Sequence, residues 1–310
     1  MKFPLFDAHA DTLSAMHRTN QPLWSNRLHV DLKRGQKYAP RAQFFVLEAY
    51  PGFACDKDCF AIQYQAFQTA LEENPDHIAH CRTASDAEKA EQEGKTAAFL
   101  SVEGAEILQC SIDRLQAAYK LGVRMVGLTW NKANDIAGTH IENATQGLTE
   151  QGRKFVKACQ ALGVIVDVSH LSEPGFWDVS EEMEGPFVAS HSNARALCPQ
   201  SRNLTDKQFV AIMRSGGVAG INLFRLFLGG EADMDRVVAH MEHFLALGGK
   251  KSIAIGADFD GCDKLPAGIS GVEDMEKLAE RMLQRNHSEE MVKDIFYHNL
   301  MRVVDEVCGI

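Results

Sequence analysis

The chain has 310 residues, 45% hydrophobic and 24% charged, which suffices for a large buried core in one α/β unit or two ordinary domains. A formal charge of -10 argues against nucleic acid or an anionic membrane surface as the main partner, and leaves a small molecule in a local cleft open. No apolar run reaches the ~20 residues that span a bilayer, and MKFPLFDAHAD at the start lacks a signal-type apolar stretch, so the expected location is cytoplasmic.

Eight short apolar runs punctuate the chain, and each reads as a strand. In order they are Phe3–His9, Ala42–Glu48, Ala97–Glu103, Arg124–Trp130, Val164–His170, Pro186–His191, Val218–Phe224 and Ser252–Asp258. Runs apolar on both faces suit parallel strands covered by helices. Helical spacing fills the intervals. Asp56–Glu73 and Ser85–Glu93 lie between the second and third runs. Glu150–Leu162 carries Phe155, Val156, Cys159 and Leu162 on one stripe, with Gly163 placed to stop it. Asp206–Arg214 follows the same pattern, and Ser288 is placed to cap a last helix that opens with Glu289-Glu290. Strands alternating with helices eight times predict a single (β/α)8 TIM barrel over 1–310, with an open doubly wound sheet as the rival. Of the eight cysteines only Cys55 and Cys59 are close together, so mostly reduced thiols and no structural zinc are expected.

Chemistry-bearing residues gather at the C-terminal ends of these runs, where barrel active sites form. The first ends in Asp7-Ala8-His9-Ala10-Asp11, and strand alternation predicts that all three polar residues share a side. The third ends in Glu103, the fifth in His170, the sixth in His191 and the eighth in Asp258. A single His-x-Asp pair is unremarkable among 12 histidines and 42 acidic residues. His9, Asp11, Glu103, His170 and His191 together on one rim are another matter, because buried ionisable groups need partners and a metal supplies one. Most of the other histidines fall on predicted helices or polar loops; His140, in the loop after the fourth run, lies on the active-site side.

The chain resembles the membrane dipeptidase (renal dipeptidase) family of zinc peptidases over nearly its whole length. The matching segments are DAHADT, SVEGAE, LTWNKAN, GLTEQGRKFVKACQALGVIVDVSHLS, PFVASHSNARALCPQSRNLTD, IGADFDG and HNLMRVV. The resemblance implies two zinc ions per chain bridged by Glu103, with His9 and Asp11 completing one site and His170 and His191 the other. It implies a hydroxide between the ions as nucleophile and Asp258 as the proton shuttle, with Asp260 able to exchange roles. Arg202 would pair with a dipeptide's terminal carboxylate. Trp130 stands where the animal enzymes carry a substrate-contacting histidine, and Phe224 where a tyrosine is common, leaving Asn222 as a polar substrate contact. A homodimer is the family expectation.

The leading reading is therefore a binuclear zinc hydrolase of small dipeptides. The alternative is a related amide or ester hydrolase acting on N-acyl amino acids at the same metal centre. A non-catalytic metal- or ligand-binding barrel is the third reading, against which Asp258 counts, since holding a metal needs no proton shuttle. Side-chain selectivity is expected to depend on the loops Ala49–Asp58 and Arg225–Asp235.

Overall fold

The computed structural model describes residues 2–49 and 59–309. Its strands are β1 (Phe3–Ala10), β2 (Tyr38–Glu48), β3 (Ile78–His80), β4 (Thr96–Glu103), β5 (Val123–Gly127), β6 (Ile165–Asp167), β7 (Ala219–Ile221) and β8 (Ile253–Ile255). They pair in parallel in the order β6-β5-β4-β2-β1-β8-β7, and the short β3 joins the start of β4. Residues 186–191 close the ring between β6 and β7. Val188 bridges Asp167 and Ala189 bridges Ala219, and the Val168 and Gly220 amides donate to the Val188 and Ala189 carbonyls, each at 2.8 Å. The result is the expected (β/α)8 barrel.

Local differences from expectation have physical causes. The sixth stave is a bridged segment and not a ladder strand, and its Ser190 carbonyl lies so close to Gly220 and Gly256 that no Cβ would fit at either. The fifth and eighth runs leave the ladder at Asp167 and Ile255, three residues early. Beyond those points His170 (φ 69°) and Asp258 (φ 59°) turn left-handed, a conformation no ladder accommodates. β3 was not anticipated; three residues carry no readable period.

The barrel interior draws at least one apolar residue from every stave, among them Phe6, Phe44, Phe99, Met125, Ile165, Val188, Val218 and Ala254. The Phe6, Phe44 and Phe99 rings lie 5.3–5.6 Å apart, a packing that fixes the relative positions of β1, β2 and β4. Tyr297, Leu300, Val303 and Val304 pack onto this layer, so the C-terminal helix serves as its floor. The helix Glu150–Leu162 ends at Gly163 (φ 69°), and Ser288 caps the next-to-last helix through the Met291 amide. That helix continues through a π-turn at Asp294–His298 into Asn299–Cys308. The helix expected from Asp56 is described from Cys59 onward, to Glu73, and the Ala49–Asp58 loop lies almost wholly outside the described residues. Among the described residues six cysteines are free and buried and Cys59 is disulfide-bonded, in line with mostly reduced thiols.

Candidate metal centre

A β-bulge places the first two ligand candidates. Asp7 pairs with Gln43, but Ala10 pairs with Phe45, so β1 carries one residue more than β2 between these points. Phe6 and Ala8 belong to the interior layer, while Leu5 and Ala10 pack against the outer helices. Past the bulge, His9 and Asp11 turn inward. Asp7 does not join them, which corrects the simple alternation. Its carboxylate instead clamps the bulge, accepting from the Ala257 amide (2.8 Å), the His9 amide (3.2 Å) and the Gln43 side chain (3.1 Å). Burial raises its pKa to about 6, against these hydrogen bonds.

Inside the rim, five side chains converge. His170 Nε2 lies 3.0 Å, His191 Nε2 3.3 Å and His9 Nε2 3.7 Å from the same oxygen, Glu103 Oε1. His9 Nε2 is also 3.4 Å from Asp11 Oδ2. The two groupings His9–Asp11–Glu103 and Glu103–His170–His191 each bring their ligand atoms within 4.8 Å of one another, with Glu103 common to both. His9 Nε2, Asp11 Oδ1 and Glu103 Oε1 are buried without hydrogen-bond partners. Each such orphan costs about 1–3 kcal/mol, so three at one point mark a place shaped for something else.

The charges agree with a cation. Burial pushes the Glu103 carboxyl well up, and Asp11, Glu48 and Asp258 push it further, with His9 opposing. Burial disfavours His9 as a cation, but Glu103 and Asp11 outweigh it and raise its pKa to about 10. His170 and His191 are held well below the usual range, by burial first and then by nearby positive groups, Arg202 among them. Glu48, at the end of β2 and in register with Glu103, was missed by sequence reasoning. It bonds Ser14 and lies 3.5 Å from Arg18 Nη1. Burial and Asp11 raise its pKa to about 8.

The two candidate shuttles separate by their neighbours. Asp260 is occupied: its oxygens accept from the His29 amide at 2.6 Å and from Thr12 Oγ1 at 2.7 Å. Asp258 stands beside the ligand candidates, with one oxygen held by Asn222 Nδ2 at 3.0 Å. Burial raises its pKa to about 6, and Asp11 adds to that while His9 opposes it. Gly261 lies so close to Asp258 Oδ1 and Asp11 Oδ2 that any Cβ there would collide with both.

Arg202 lies in the same interior, 4% exposed, with Nη1 donating to Ser192 Oγ at 2.6 Å. Its Nε and Nη2 are buried donors without a partner. Asn222 is placed otherwise than a substrate contact requires. It is fully buried and donates to Asp258 and the His191 carbonyl, and its own oxygen accepts from the Phe224 amide at 2.6 Å. Trp130 is half-buried just beyond β5, and Phe224 packs edge-on against Phe227 at 5.1 Å. Three further residues went unread: Asn131, whose Oδ1 is 3.0 Å from His170 Nδ1, and Asp167 with Ser190, which stand behind His191. A signal existed for these three, since each lies within a few residues of a ligand candidate or of Trp130 in a segment already singled out.

The model of the membrane dipeptidase family, peptidase family M19, matches residues 1–309. The chain belongs to that family. It is accordingly a metal-dependent hydrolase of the metallopeptidase type. A protein from the pqqA 5' region of Klebsiella pneumoniae is 35% identical over 240 residues, covering 73% of this chain and 88% of its own. A Rhodobacter sphaeroides metallopeptidase, solved with a phosphinate mimic of the dipeptide L-Ala-D-Ala, superposes with TM-score 0.90 at 26% identity, covering 99% of this chain and 100% of its own. Dipeptidase AC, a metallopeptidase of family M19, gives TM-score 0.90 at 27% identity, with both chains fully covered. Among the described residues no helix is long and apolar enough to cross a membrane.

Proposed function

We propose that this member of the family is a binuclear zinc dipeptidase. One observation carries the reading. His170 Nδ1 faces Asn131 Oδ1 at 3.0 Å and His191 Nδ1 faces Ser190 Oγ at 2.7 Å. With both rings neutral and their protons on Nδ1, the two Nε2 atoms are bare lone pairs, 3.1 Å apart and both against Glu103 Oε1. Three acceptors that close with no proton between them call for a cation.

His9, Asp11 and Glu103 would hold one zinc, and Glu103, His170 and His191 the other; imidazole and carboxylate are the donor types zinc accepts. When bound, the pair would lower the pKa of a water and polarise the scissile carbonyl. The protein's groups do the rest. Asp258, steadied by Asn222, takes the proton of the attacking water and returns it to the leaving amine nitrogen. Arg202 offers two unused N–H donors to the terminal carboxylate of a dipeptide. The phosphinate bound by the Rhodobacter sphaeroides neighbour mimics the dipeptide L-Ala-D-Ala, whose carboxylate end is a D-residue.

A second reading keeps the same centre but takes N-acyl amino acids, and Trp130 motivates it by replacing the expected histidine beside the pocket. The experiment combines metal analysis with a substrate panel. Purified protein should hold two zinc ions and lose activity on chelation. L-Ala-L-Ala and L-Ala-D-Ala should be cleaved faster than N-acetylated amino acids. Full activity after exhaustive chelation would sink the metal reading. Turnover of the N-acyl compounds with no dipeptide cleaved would move the assignment to the second.

A further inference from the structure

Asp167 ends β6, faces the barrel interior, and belongs to neither of the two proposed zinc ligand sets. One of its oxygens nevertheless lies within 4.8 Å of ring nitrogens of His9 and His191. Its hydrogen bonds are directional. Oδ1 accepts from two main-chain donors, the Ser169 amide at 2.9 Å and the Ser190 amide at 2.8 Å. Oδ2 accepts from the Ser190 hydroxyl at 2.5 Å. The same hydroxyl oxygen lies 2.7 Å from His191 Nδ1.

A hydroxyl has one proton to give. Ser190 spends it on the Asp167 carboxylate, which can only accept. Toward His191 it must therefore act as acceptor, and His191 must carry its proton on Nδ1. We propose that Asp167 and Ser190 form a proton-orienting relay that holds His191 in the Nδ1–H tautomer and so presents its Nε2 lone pair to a metal. This inference rests on the binuclear reading above. It makes Asp167 a positioning residue that acts through Ser190, beyond the ligands themselves. The competing account is that Asp167 only clamps two turns through the Ser169 and Ser190 amides.

One substitution separates the two accounts. In Asp167→Asn the amide oxygen stays on the two main-chain donors, because only an acceptor fits there. The amide NH2 then replaces Oδ2 and donates to Ser190. Ser190 then turns its own proton to His191 Nδ1, the nearer of its two remaining acceptors at 2.7 Å against 3.3 Å to Ser169 Oγ, and His191 moves its proton to Nε2, where it can no longer ligate. Asparagine keeps the clamp and reverses the relay.

The measurement is zinc affinity of the full-length protein by competition with a chromophoric chelator, alongside circular dichroism. D167N should keep its fold and bind one of its two zinc ions about 10–100-fold more weakly. S190A should lose less, since it leaves the tautomer free without imposing the wrong one. The double variant D167N/S190A should bind zinc more tightly than D167N, because the misdirected proton is gone. Wild-type affinity in D167N, or a double variant no better than D167N, overturns the relay. Should D167N fail to fold, ring ¹⁵N shifts of His191 in the chelated wild-type protein decide: Nδ1–H upholds the relay and Nε2–H overturns it. Failure of the wild-type protein to take up zinc would instead count against the metal reading itself, so the two ideas fail separately.

Discussion

Replacing Arg202 by methionine tests the substrate reading at its most specific point. The side chain is almost wholly buried, Ser192 uses one of its nitrogens, and Nε and Nη2 are left without acceptors. Nε and Nη2 form one edge of the guanidinium, the geometry that grips a carboxylate with two parallel bonds. Hydrogen bonds to charged groups contribute ~1.5–3 kcal/mol each, and truncating one partner of a buried charged pair costs roughly 2–5 kcal/mol. A loss of about 3 kcal/mol corresponds to roughly 100-fold in kcat/KM. Methionine also removes a positive charge that Asp258 and Glu103 both feel, which affects any substrate. The assay therefore compares a free dipeptide with the same dipeptide as its C-terminal amide. Arg202→Met should cut the acid-to-amide preference by about two orders of magnitude. If both substrates fell by the same factor, Arg202 would be an electrostatic neighbour of the metals and the carboxylate contact would be refuted.

Asp258→Asn should lower kcat by ~10²–10⁴-fold, the range of general acid–base catalysis, while zinc content stays at the wild-type level. Parallel loss of both would mean that Asp258 is a ligand. A third expectation concerns stability away from the metals. His240 is fully buried, accepts from the Ala194 amide at 3.1 Å and donates from Nε2 to the Leu228 carbonyl at 2.9 Å. Burial is the main reason its pKa falls from 6.5 to about 4. The unfolded chain therefore takes up the proton first as pH drops. The neutral ring's contribution is whole above pH 6.5 and is lost between 6.5 and about 4, a change of about 3 kcal/mol. His240→Gln can keep both bonds without titrating, so its urea midpoint should fall less steeply over that range. An unchanged slope would reject the assignment.

The sequence by itself was sufficient for the barrel and for most of the groups on its rim, though Glu48 at the end of β2 and Asp167 at the end of β6 went unread. Parallel strands buried on both faces leave uninterrupted apolar runs, and barrel chemistry sits where such runs end. His9, Asp11, Glu103, His170, His191 and Asp258 were legible for that reason. Tertiary structure decided what depends on register and on contacts far along the chain. Alternation alone would send Asp7 inward with His9, but a bulge set by pairing with β2 and β8 turns it out. Asp258 and Asp260 are indistinguishable in IGADFDG until His29 and Thr12, some 230 to 250 residues earlier, take up the second. Asn222 looked like a substrate contact until its hydrogen bonds were seen to run to Asp258 and His191. The rim as a list of suitable side chains is local information. Which of them carry lone pairs, which carry protons and which merely hold others in place follows from hydrogen bonds closed across the barrel, and no run of residues encodes those alone.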